Sequence, residues 1–146
     1  MIIERGSKER YNDALELVRN FHREALSEYA LKIDNEALIK FFDKCVEQSF
    51  LLIDKVTNKC QGIIAGQEIT NPVSGEKIFQ ETIWYVNESF RHYGVFLFNQ
   101  AQEILKQEGY NAIIMVCLAN AKALKLFKLY ERMGFVPLEY HFVRRL

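Results

Sequence analysis

The chain has 146 residues, and its 19 Lys+Arg balance its 19 Asp+Glu to a formal net charge of zero. That balance argues against a general nucleic-acid binder, which carries a basic excess. With 49% apolar and 26% charged residues the composition is that of a folded protein, not a disordered one. The longest unbroken apolar run, eight residues over 112–119, falls far short of the roughly 20 that a membrane-spanning helix needs.

Residues 1–5 predict a short first strand. From Ser7, read as an N-cap, Tyr11, Ala14, Leu15, Val18, Phe21, Ala25, Leu26 and Tyr29 recur at three- and four-residue steps, one helical stripe. Asp34 caps a second helix with the stripe Leu38, Phe41, Phe42, Cys45 and Val46. An apolar run over 50–56, turn residues at 57–60 and a second run over 63–70 predict a hairpin. A loop at 71–75 leads to a long strand over 78–86. Residues 95–108 predict a helix stopped by Gly109, and 111–118 a strand buried on both faces. A helix over 120–133 ends at Gly134, and 135–146 predicts a closing strand. With no repeat, linker or low-complexity tract, this is one α/β domain over 1–146, in the order β-α-α-β-β-β-α-β-α-β.

Cys45, Cys60 and Cys117 are an odd number and widely spaced, and the chain opens Met-Ile-Ile-Glu-Arg, which does not read as a signal peptide. Both point to reduced thiols in a cytoplasm. Cys117, inside an apolar run, reads as a core residue and not as a nucleophile. His22, His92 and His141 lie far apart and match no metal-ligand spacing, so no metal is expected.

Chemistry concentrates where the strand ending at Val86 passes through Arg91-His92-Tyr93-Gly94 into a helix. A helix N-terminus offers unpaired backbone N–H groups and a partial positive charge, and Arg91 adds a full one, a setting for an anion such as phosphate. The plainer reading makes Gly94 a turn and Arg91 a solvated cation. The motifs G-x-G-x-x-G and G-x-x-x-x-G-K-[ST] are absent, which sets aside the common nucleotide-binding folds.

The run Val86-Asn87-Glu88-Ser89-Phe90-Arg91-His92-Tyr93-Gly94 resembles the V-x-x-x-x-R-x-x-G acetyl-CoA motif of the Gcn5-related N-acetyltransferase (GNAT) superfamily. Asn120-Ala121-Lys122-Ala123 and Leu129-Tyr130-Glu131-Arg132-Met133-Gly134-Phe135 resemble its N-x-x-A…L-Y-E-x-x-G-F signature. The element order also matches that fold, which implies a mixed, mostly antiparallel sheet with helices on both faces. The resemblance implies acetyl transfer from acetyl-CoA to a primary amine, on a small molecule or a peptide, by direct attack in a ternary complex. From the balanced charge and the short apolar run no nucleic-acid or membrane partner is expected, and a homodimer is left open.

By the same resemblance Trp84, Tyr85, Val86 and the run Arg91, His92, Tyr93, Gly94, Val95, Phe96, Leu97 would contact the cofactor. Asn120, at least a helix cap, would reach its pantetheine arm. A backbone N–H near Val86 would polarise the thioester carbonyl. An amine titrating near 10.4 needs a base and a departing thiolate an acid. Glu81, placed by alternation on one face with Ile83 and Tyr85, is the candidate base, acting through water; a solvated Glu is its plainer reading. Two departures stand out. Val95 is followed by Phe96 where the family has a small residue, and Leu97 and Phe98 beside it favour a Phe96 turned into the core. The stretch to Gly134 is also longer than the family's. Counting forward from Asn120 puts its aromatic position on Phe127; counting back from Gly134-Phe135 puts it on Tyr130, the candidate acid. Glu28, Tyr29 and Asp34 are candidates to face a cationic amine. The alternative function is a non-catalytic interaction module of the same fold, with Phe96 impairing the cofactor site.

Overall fold

The computed structural model describes residues 1–26, 32–120, 122–144 and 146. It divides into two compact units, Met1–Val116 and Cys117–Leu146, each described by itself.

The first unit is built on a five-stranded sheet in the order β1 (Ile2–Arg5), β2 (Phe50–Ile53), β3 (Cys60–Thr70), β4 (Lys77–Val86), β5 (Ala112–Ile114). The first three pairings are antiparallel and β4–β5 is parallel, so the sheet is mixed and mostly antiparallel. β2, between β1 and β3, is fully buried; all four of its residues are shielded, as a Phe-Leu-Leu-Ile run requires.

Helix α1 (Tyr11–Phe21) and α2 (Asn35–Cys45) cover one face. Ala14, Leu15, Val18, Phe42 and Cys45 pack there with Leu51, Ile53, Ile63, Ala65, Ile83 and Tyr85. Helix α3 (Gly94–Gln107) lies on the other face, where its Phe98 ring meets Trp84 with centroids 5.9 Å apart. Asp34 caps α2 as expected: its Oδ1 accepts the Ala37 N–H at 2.8 Å. Ser7 does not cap α1. That helix starts after Arg10 without a side-chain cap, and Ser7 gives its backbone carbonyl to Arg10 N–H. After Phe21 the chain widens into a π-helical turn, His22–Leu26.

β3 and β4 pair with one irregularity. Ala65 faces Ile83 and Gly66 faces Glu81, so Thr82 is an extra residue, a β-bulge. The Thr82 hydroxyl donates to the Ala65 carbonyl at 3.1 Å. Gly66 has no room for a side chain: a Cβ there would lie 2.4 Å from the Gln80 carbonyl oxygen and 2.6 Å from the Phe79 ring.

β5 is shorter than the 111–118 strand expected from its apolar run. It ends at Ile114, Ala112 is exposed and Ile113 and Ile114 are half-buried, so it is not shielded on both faces. Its ladder to β4 stops at Gln80–Ile114, and an apolar run without a ladder partner has no reason to stay extended.

In the second unit, Asn120 precedes α4 (Ala123–Arg132) without capping it directly; its Oδ1 accepts the Lys122 N–H at 2.9 Å and its carbonyl the Ala123 N–H at 3.0 Å. Gly134, at φ +85°, ends the helix, and Phe135 N–H returns to the Tyr130 carbonyl at 3.0 Å. The strand expected over 135–146 is not formed among the described residues. Val136, Leu138, Tyr140, Phe142 and Val143 alternate or cluster as a strand would, yet all are exposed. Alternation supplies propensity; a strand also needs a partner. Among the described residues no helix is long and apolar enough to cross a membrane.

Candidate active site

Glu81 is the one buried ionisable carboxylate of the described core, 4% exposed. It stands just past the last β4–β5 pair, where the two strands part. Its carboxylate accepts the Val116 backbone N–H at 2.8 Å. Burial pushes its pKa up to about 7, and the Val116 hydrogen bond only partly opposes this. The expected alternation of Glu81 with Ile83 and Tyr85 is corrected by the Thr82 bulge. Glu81 falls in step with Phe79, whose ring meets Phe50 at 6.0 Å, away from the face that Ile83 and Tyr85 share with α1.

Further along β4, Asn87 N–H donates to the Gln61 carbonyl of β3 at 2.9 Å. Backbone alternation therefore turns the Val86 N–H to the opposite edge, the side from which β5 has already departed. Trp84 is half-buried and Tyr85 and Val86 are buried.

The Arg91 loop is a 3₁₀ segment, Glu88–Tyr93, that runs straight into α3. Gly94 N–H is already given to the Arg91 carbonyl, so it is not among the unpaired donors expected at this helix start. Gly94 is helical, at φ −57°, and a Cβ on it would make only ordinary contacts, with Trp84 at 3.8 Å and Val86 at 4.0 Å. The chemistry of the loop nevertheless suits an anionic ligand. A guanidinium stands at the start of a 14-residue helix whose first turn holds no acidic residue. Three rings crowd the same place: His92 and Tyr93 with centroids 4.3 Å apart, and Tyr93 and Phe96 at 6.4 Å.

Phe96 corrects the expectation of a core residue. It is 39% exposed, as is Val95, while Gly94, Leu97, Phe98, Ala101 and Leu105 form the buried side of α3. At 100° per residue, the position before Leu97 is carried off that stripe however apolar its neighbours are.

One residue of this region was not expected. Glu24, in the π-helical turn, accepts the Tyr85 hydroxyl on Oε1 at 2.6 Å and pairs through Oε2 with the Arg91 guanidinium. Burial and this carboxylate together push the Tyr85 phenol up to about 12. The sequence carried no signal for it: the apolar stripe runs through Phe21 and Ala25, and a carboxylate between them at Glu24 reads as solvated.

Asn120, Phe127 and Tyr130 belong to the second unit. Tyr130 is buried and its ring meets Phe135 at 5.4 Å; Phe127 is 36% exposed. Of the acceptor-side candidates, Asp34 is the α2 cap, and Glu28 and Tyr29 lie outside the described residues. Ile33 and Asn35 line, with Glu16, Arg19 and Arg23, a cavity of about 370 Å³. Cys45 and Cys60 are buried thiols pushed up to about 11, and Cys117 is half-buried with its thiol also raised by burial, so none is poised as a nucleophile. Among the described residues no group of three His, Cys, Asp or Glu side chains could hold a metal ion.

The chain belongs to the acetyltransferase (GNAT) family, whose sequence pattern matches residues 11–135. Its fold is similar to that of a tetramutant of the BH1408 protein from Bacillus halodurans, at 18% identity and TM-score 0.78 over 100% of both chains. It is also similar to an acetyltransferase of Trypanosoma brucei, at 18% identity and TM-score 0.70 over 99% of both. A ribosomal-protein-alanine N-acetyltransferase from Brucella melitensis biovar Abortus 2308 matches at 13% identity and TM-score 0.72 over 100% of both. No curated protein matches the chain.

Proposed function

We propose that the protein transfers the acetyl group of acetyl-CoA to a primary amine, on a small molecule or a peptide, by direct attack in a ternary complex. Family membership supports acyl transfer in general. The observation that carries the finer reading is Glu81, a buried carboxylate with a pKa near 7 at the point where β4 and β5 part. An ordinary carboxylate is too weak a base to take a proton from an ammonium near 10.4; one near neutrality is better matched and still half ionised at neutral pH. Glu81, directly or through a water, accepts the proton that the attacking amine loses. Acetyl-CoA supplies the thioester carbon that the amine nitrogen bonds, and its sulfur leaves with the electron pair of the broken C–S bond. Tyr130 returns a proton to that sulfur. The Val86 N–H donates to the carbonyl oxygen as negative charge grows on it. Arg91 and the start of α3 hold the anionic end of the cofactor, with Trp84, Tyr85 and residues His92 to Leu97 along its path; Asn120 and Phe127 border its arm. Reduced thiols fit work in a cytoplasm.

Acetyl-CoA at about 100 times its dissociation constant should stabilise the fold by about 2.7 kcal/mol. The check is the melting temperature with and without the cofactor. An unchanged midpoint at millimolar acetyl-CoA would leave the non-catalytic interaction module as the better reading, with exposed Phe96 beside the loop as the reason.

A further inference from the structure

Glu24 has both carboxylate oxygens engaged, one by the Tyr85 hydroxyl at 2.6 Å and the other by Arg91. The two donors differ in kind. Tyr85 is a buried residue fixed in β4, so its hydroxyl is a stationary post that holds the carboxylate in one place. Arg91 sits in the loop ahead of α3, and the side chains of the pair are 44% and 41% exposed. A half-exposed ion pair is weakly held and readily exchanged. The widened turn His22–Leu26 places the carboxylate there, and such turns recur at functional positions.

We infer that Glu24 is an internal counter-ion that competes with the anionic cofactor for the Arg91 guanidinium, and so sets how tightly acetyl-CoA is held. This rests on the acetyl-CoA reading above. In the free chain Arg91 is neutralised by Glu24. A phosphate group offers Arg91 more charge and more acceptor oxygens than one carboxylate does, and draws the guanidinium away. Glu24 then stays on Tyr85, with one oxygen released. Glu24 is thus a positioning residue, acting on the cofactor through Arg91 and tied by the backbone to the end of α1.

Calorimetric titration of CoA into wild type, Glu24→Gln, Glu24→Ala, Arg91→Ala and the Glu24→Gln/Arg91→Ala double variant tests this, with the melting temperature of each unliganded protein as the check on folding. Removing the charge of Glu24 should tighten CoA binding about two- to five-fold, the worth of one exposed ion pair. The gain should shrink at high salt, where such pairs are screened, and vanish in the Arg91→Ala background. A merely structural Glu24 would give neither dependence. CoA binding that is unchanged or weaker in both folded Glu24 variants, or a gain that survives without Arg91, overturns the inference while leaving the acetyl-CoA reading intact. No CoA binding to any of the five proteins overturns both.

Discussion

The two ends of the outer half of β4 each hold a carboxylate, and they treat it in opposite ways. At Glu81 the charge is stripped of water and given a single backbone donor, so its pKa climbs to about 7. A few residues on, Glu24 meets Tyr85 and Arg91 half in water, and its charge is matched by a cation. Desolvation without a counter-charge makes a group that titrates near neutrality; pairing in partial exposure makes one that holds a loop by an exchangeable contact. The first arrangement suits proton transfer and the second suits reversible anchoring. One strand supports both because the bulge at Thr82 turns Glu81 to a different face from Tyr85.

The sharpest way to break this contrast is Glu81→Gln. Gln keeps the acceptor for Val116 N–H and loses the base. With an identified amine acceptor, turnover should fall by about 10²–10⁴-fold, and the ascending limb of the pH–rate profile near pH 7 should disappear. Stability should move the other way. Because the folded pKa is raised above the ordinary 4.5, the native state holds its proton more firmly than the unfolded chain does. The stability due to this group is fully present below about pH 4.5 and is lost as pH rises towards 7. The Gln variant escapes that loss, so above pH 8 it should be the more stable protein by about 3 kcal/mol, and near pH 4 the two should match. Denaturant unfolding at the two pH values checks this; a constant difference would mean that Glu81 does not titrate in this range.

Gly66→Ala attacks the same end from across the ladder. The added methyl would fall 2.4 Å from the Gln80 carbonyl oxygen and 2.6 Å from the Phe79 ring, and the backbone oxygen cannot swing aside. The bulge that presents Glu81 must shift, at a cost of about 1–3 kcal/mol. The unfolding midpoint reports the cost. If the protein tolerates the change with no loss, the bulge is not held as tightly as the contrast requires.

What could be read in the sequence follows the range of the interactions involved. Asp34 capping α2, the hairpin of β2 and β3 and the start of α3 near Val95 all depend on neighbours a few residues away, and each stands where the residues put it. The Thr82 bulge depends on how β4 registers against β3, and nothing in 78–86 alone announces an extra residue. Without it, strict alternation assigned Glu81 to the wrong face. Glu24 was not legible, because it lies off the apolar stripe and its partners lie 61 and 67 residues away. The closing strand over 135–146 fails for the complementary reason: its alternation is evident, and strand formation is decided by pairing that alternation does not encode.

Phe96→Gly offers the smallest effect and tests the loop end. Had the ring been in the core, its removal would destabilise by about 3–5 kcal/mol, as large-to-small core changes do. The ring is 39% exposed and meets Tyr93 at 6.4 Å between centroids, so less packing is lost than in the core. Glycine in the first turn of a helix costs about 1 kcal/mol on its own. The expected loss is therefore about 1–2 kcal/mol, most of it backbone entropy, and Phe96→Ala should recover nearly all of it. Cofactor affinity separates the remaining possibilities for the ring. A Phe96 that stands where the phosphates approach α3 obstructs them, so both substitutions should tighten CoA binding, and equally, since neither replacement reaches beyond Cβ. A ring that instead packs on the bound cofactor would be missed in both variants, and binding would weaken. The exposed position of Phe96 in the first turn of α3, beside Tyr93, favours obstruction. Unlike the gain expected at Glu24, this one should persist at high salt, because it removes bulk and not charge.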